Sequence, residues 1–164
     1  MTARMRPTIA AILIATAMMA GLALRATPLA ADDRNFVEVE AFNNEGAKLV
    51  LGHFTVSEVG KPQQKVGVVA IAAPNHNSFA FDYDEWREFI ALTDKAVGST
   101  SYRIVGFMVE TGTTDKSELE VSGGPDVNLM IVSPKAGMAR YFMDKADVPR
   151  FQKGLRQVGD YLAK

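Results

Sequence analysis

Apolar residues fall at Trp86, Phe89, Ile90 and Val97, with Thr93 between them, and this is the spacing of one face of a helix. The start of that helix is marked twice. Asp82 is a natural N-cap with Glu85 three residues on, a capping box, and Phe81 and Trp86 flank it as a hydrophobic staple. Gly98 is placed to stop the helix. A second stripe, Val148, Phe151, Leu155, Val158 and Leu162, predicts a closing helix over about 145–162, with Pro149 tolerated in its first turn.

Between and before these helices the period changes to two. Residues 36–42 alternate, with Val37, Val39 and Ala41 on one side and Glu38 and Glu40 on the other, which predicts a half-buried strand. Turn chemistry at 43–46 leads to a longer strand over 48–59, in which Gly52 marks a bulge or a close backbone approach. After a loop at 60–64, the valine-rich run 65–73 reads as a strand covered on both faces, and 78–81 leads into the first helix. The order then repeats. Strands are expected over 102–110, 117–122, 127–132 and 138–143, separated by turns such as Gly123-Gly124-Pro125-Asp126.

Short strands joined by turns pair antiparallel, and the apolar face of each helix needs a sheet to cover. The expected fold class is therefore α+β. It has two tandem units of a four-stranded antiparallel sheet plus a helix, at about 36–98 and 102–163, packed as one domain over residues 32–164.

The first thirty-one residues follow another rule. Arg4 and Arg6 precede an apolar run over 8–24, and small residues end at Ala31 before Asp32-Asp33. This is the pattern of a signal peptide cleaved after Ala31, with a retained membrane anchor as the competing reading. Removing it leaves 15 basic against 19 acidic residues, a formal charge of −4. An acidic exported domain is poorly suited to neutralising phosphates, which argues against nucleic acid as a partner. There is no cysteine, so thiol catalysis and thiolate metal sites are excluded and stability must come from packing. The composition points to a bacterial periplasm, with no membrane span after cleavage.

Two tandem units of four antiparallel strands and a helix, with matching strand-to-helix joints at 81–89 and 143–151, resemble the PUR-repeat and Whirly-type single-stranded nucleic-acid-binding proteins. The resemblance is one of topology. It implies that the curved sheet faces would carry the binding residues, yet the outward-facing candidates Lys48, Arg103 and Arg140 are balanced by Glu38, Glu40, Glu118 and Glu120. No binding residue is carried over from it.

The remaining candidates for chemistry have structural explanations. His53 and His76 lack metal-ligand spacing, even with Asp82 or Asp84 added. The acidic group Asp82, Asp84, Glu85 and Glu88 fits capping and a solvated helix face. No serine sits in a nucleophile elbow, and Gly123-Gly124 is not followed by the helix a phosphate loop needs. Trp86 is expected in a core cluster with Phe79, Phe81, Tyr83 and Phe89, while Tyr102 and Tyr141 are candidates for rings on the opposite sheet face. No catalytic, metal or cofactor-binding residue is assigned. The expected function is an exported, non-enzymatic binding or interaction module. It would use the uncovered sheet face or the groove between the units to hold a protein partner or a small apolar ligand. A single-stranded nucleic-acid binder is the alternative, and a hydrolase or metal enzyme with a dispersed site is a further one. The oligomeric state stays open, since exposed edge strands invite dimers.

Overall fold

The computed structural model describes residues 36–57, 60, 62–72, 75–109 and 116–164. The expected signal peptide lies outside the described residues, as do the end of the second expected strand at 58–59 and the loop at 111–115. Two four-stranded antiparallel sheets follow one another, each closed by a helix. The first sheet is β1 (Val37–Asn44), β2 (Ala47–Val56), β3 (Gln64–Ala72) and β4 (His76–Phe81), followed by α1 (Tyr83–Val97). The second is β5 (Arg103–Val109), β6 (Glu118–Gly123), β7 (Val127–Ser133) and β8 (Gly137–Met143), followed by α2 (Val148–Leu162). In both sheets the strands stand side by side in chain order.

The helices are exchanged. α1 belongs to the first unit by sequence but packs on the second sheet, where Leu92 fills the space over Gly106 and the backbone at Ala96 lies against Gly123. α2 in turn packs on the first sheet, with Leu162 over Gly67 and Gly154 pressed against Glu40 and Leu51. Glycine is needed at 67, 106 and 123 because a Cβ there would collide with a ring, a leucine or the backbone of the crossing helix. One apolar core results. It joins Phe42, Leu51, Ile71, Phe79 and Phe81 of the first sheet to Leu119, Leu129, Ile131 and Tyr141 of the second, with Trp86, Phe89, Phe151 and Leu155 of the helices between them. The expected groove between the units is thus the core itself.

Polar side chains stitch the same boundary. Asn77 donates to the carbonyls of Gly137 (2.9 Å) and Ile131 (3.4 Å), and Asn44 donates to that of Phe142 at 2.8 Å. Each ties a side chain of the first sheet to the main chain of the second.

Local expectations hold for the start of α1. Asp82 accepts from the Glu85 amide at 2.9 Å and Glu85 accepts from the Asp82 amide at 3.0 Å, a complete capping box. Phe81 and Trp86 meet edge to face at 5.6 Å. Gly98 ends α1 as expected, in an ordinary right-handed conformation (φ −77°). Other expectations are corrected. The closing helix begins at Val148 rather than 145, because Asp144–Asp147 forms a turn bonded from the Asp147 amide to the Asp144 carbonyl. A bulge between Glu38 and Glu40 shifts the phase of β1. Glu40 therefore turns inward beneath α2, beside Arg150 at 3.7 Å, while Val37 is exposed.

Candidate functional site: the outer face of the second sheet

The two sheets differ on the faces turned away from the core. On the first, Val50, Phe54, Val66, Val68, Ala70 and Ala80 form a second buried cluster, and Phe36 leads the chain in over Gly52, where its ring leaves no room for a Cβ. That is the close approach expected at Gly52. On the second sheet the outer face is open.

The register sets out that face in rows running across the strands. Phe107, Glu120, Met130 and Arg140 form one row, and Val109, Glu118, Val132 and Met138 the next. Ile104, Ser122, Asn128 and Phe142 form a third, with Tyr102 at the end of the face over Gly124. Ten large apolar side chains are exposed among the described residues, and seven of them stand here: Tyr102, Ile104, Phe107, Val109, Val132, Met138 and Phe142, at 38% to 60%. Concentration on one face separates this from the ordinary scatter of exposed apolar side chains.

Its polar groups are few and placed. Ser122 donates to Glu120 at 2.7 Å. The Arg140 guanidinium lies 5.5 Å from the Phe142 ring and 3.4 Å from the Met130 sulfur, and no described carboxylate pairs with it. Tyr102 donates to Asp126 at 3.0 Å; that hydrogen bond first, then burial and the carboxylate charge, raise the phenol pKa above its usual range. Asn128 is buried, and its Oδ1 has no partner among the described residues.

The other sequence candidates are not brought together. His53 stacks on Tyr161 at 3.6 Å on the inner side of the first sheet, and His76 stands exposed at the start of β4, against the far end of β3 from the partner of His53. No group of three metal-ligating side chains forms among the described residues. Asp82 and Glu85 are engaged in the cap. Trp86 is fully buried with Phe79, Phe81 and Phe89, but Tyr83 is exposed with Arg87 over its ring, outside the cluster expected to include it. Tyr141 is also corrected. It is fully buried, facing the core rather than the outer surface, and its hydroxyl is unpaired among the described residues.

Sequence reasoning named the uncovered sheet face and, of its residues, weighed the charges and the rings of Tyr102 and Tyr141. Tyr102 does stand on it, but the other apolar side chains of the face were missed. The signal was present. Both phases of β5 are apolar, with Met108 inside and Ile104, Phe107 and Val109 outside, and a strand with one solvated face does not show that pattern. No protein-family model matches the chain, and no curated protein matches it in sequence. No helix among the described residues is long and apolar enough to cross a membrane.

Proposed function

We propose that this protein is an exported, non-enzymatic binding module that receives a protein partner on the outer face of its second sheet. The observation that carries the reading is the gathering of seven exposed large apolar side chains on that one face. Aromatic side chains, methionine and arginine are the residue types that anchor protein interfaces, and Phe107, Phe142, Met130, Met138 and Arg140 supply them. The face spreads across four strands, whereas small ligands are held in concave sites. Glu118 and Glu120 outnumber Arg140 within its rows, which disfavours a phosphate backbone.

A photoreactive residue placed at Met130, at the centre of the face, tests this in the protein's own host. The expected result is a discrete adduct from position 130 and none from position 88, on the exposed side of α1. Equal labelling from both, or none from 130, overturns the proposal. A salt-sensitive adduct with an oligonucleotide in place of protein would transfer the face to the nucleic-acid reading.

A further inference from the structure

The partner can be named from the arrangement of charge on this face, an inference that rests on the binding reading above. Glu120 on β6 and Arg140 on β8 are both register partners of Met130 on β7. An acid and a base therefore stand on either side of one central strand, in a single row. Neighbouring strands are ~4.8 Å apart, so each charge lies about that far from the β7 line. Neither has an ion-pair partner among the described residues; Arg140 rests on Phe142 and Met130, and Glu120 accepts from Ser122.

A two-fold axis lying in the face along β7 turns this asymmetry into complementarity. It exchanges the β6 side for the β8 side, so that Glu120 of each copy comes opposite Arg140 of the other. Met130 and Val132 meet their own counterparts on the axis. Axes running across the strands do the reverse, setting β6 against β6 and acid against acid. We propose that the outer face of the second sheet docks on the same face of a second copy of this chain, with the two-fold axis along β7.

Sheets pack face to face at ~10 Å with their strands turned by about 30°, which an axis some 15° from β7 accommodates. Arg140 and Glu120 are long enough to meet across that gap. Phe107 then lies at the rim beside the incoming Arg140, within reach of a cation–π contact. The area sets the strength. Three or four strands at ~4.8 Å and seven residues at about 3.3 Å give a footprint of roughly 20 by 20 Å, below the range of stable interfaces and in that of weak, transient ones. The dimer is accordingly concentration-dependent, not obligate.

Sedimentation equilibrium of the full chain tests the geometry with Glu120→Arg and Arg140→Glu. Each single change places like charges opposite one another twice, and each is expected to weaken dimerisation at least tenfold. Mixing the two variants makes both pairs complementary again, and the mixture is expected to dimerise as the unaltered chain does. Because the chain has no cysteine, Met130→Cys adds a clean readout: a short bifunctional maleimide is expected to link two copies at 130 across the ~10 Å between the sheets, which pairing through strand edges would hold far apart. An unaltered chain that stays monomeric at high concentration, single variants that dimerise normally, or a mixture that stays monomeric would each overturn the proposal. A photo-adduct from position 130 with a different protein would overturn the second copy as partner while leaving the binding reading in place. No adduct at all removes both.

Discussion

The indole N–H of Trp86 donates to the main-chain carbonyl of Leu155 at 2.8 Å, tying the helix of the first unit to the helix of the second. The ring is fully buried, T-stacked on Phe81 and Phe89 and pressed over Gly67. It holds together two elements that each cover the other unit's sheet.

Replacing Trp86 by Ala removes the ring and the tie, and is expected to cost about 3–5 kcal/mol. Trp86→Phe keeps an aromatic filler but loses the donor, so a smaller loss is expected. Urea denaturation reads both, and an Ala variant as stable as the unaltered chain would contradict this view of the core.

Gly98 and Gly123 are expected to respond in opposite directions to alanine. Gly98 has an ordinary φ of −77°, and a Cβ there would meet only atoms 3.6 Å or more away. Gly98→Ala should be neutral, or stabilising by about 0.4–1 kcal/mol through the unfolded chain. At Gly123 a Cβ would collide with the Ala96 backbone of α1, and Gly123→Ala is expected to cost roughly 1–3 kcal/mol. Melting temperatures that moved together would contradict the exchange of helices.

Burial pushes the Tyr141 phenol up to about 12, with Asp147 and Asp144 adding to the rise and Arg150 opposing it. A pKa raised in the folded state means that the neutral phenol stabilises the fold below pH 10 and that this contribution fades as pH climbs from 10 towards 12. Tyr141→Phe is expected to lose that alkaline dependence relative to the unaltered chain. Since the hydroxyl has no described partner, the variant should be at least as stable at neutral pH. Thermal melts at pH 7 and pH 11 decide it; a clear loss at pH 7 would reveal a partner for the hydroxyl.

His53 titrates on the acid side. Burial lowers its pKa below 6.5, so the folded state favours the neutral ring stacked on Tyr161. Its contribution is present above pH 6.5 and is lost as pH falls through that value towards the folded pKa. His53→Gln should flatten the fall in urea midpoint between pH 7.5 and 5; an unchanged slope would assign the acid sensitivity elsewhere.

Much of the architecture was legible because its signals are local. The capping box at Asp82, the stripe from Val148 to Leu162 and the turn at Gly123-Gly124 each depend on residues a few positions apart. The exchange of helices was not legible, since a stripe such as Trp86, Phe89 and Thr93 states that a face is buried and not which sheet covers it. The phase of β1 was misread for a related reason: a bulge inverts the alternation without a residue type to announce it. The candidate site was half visible. Its Arg140 and Glu120 stood out as charges, but only the register shows that they flank Met130 in one row.

The most direct test of the outer face as the working surface is native mass spectrometry of the chain purified from its host, compared with Phe107→Lys. Phe107 is exposed on the rim of that face and contributes nothing to the core cluster, so the substitution should leave the melting temperature unchanged. The account predicts an assembly above monomer mass for the unaltered chain and a bare monomer for the variant. The same assembly from both chains, with melting unchanged, would contradict it.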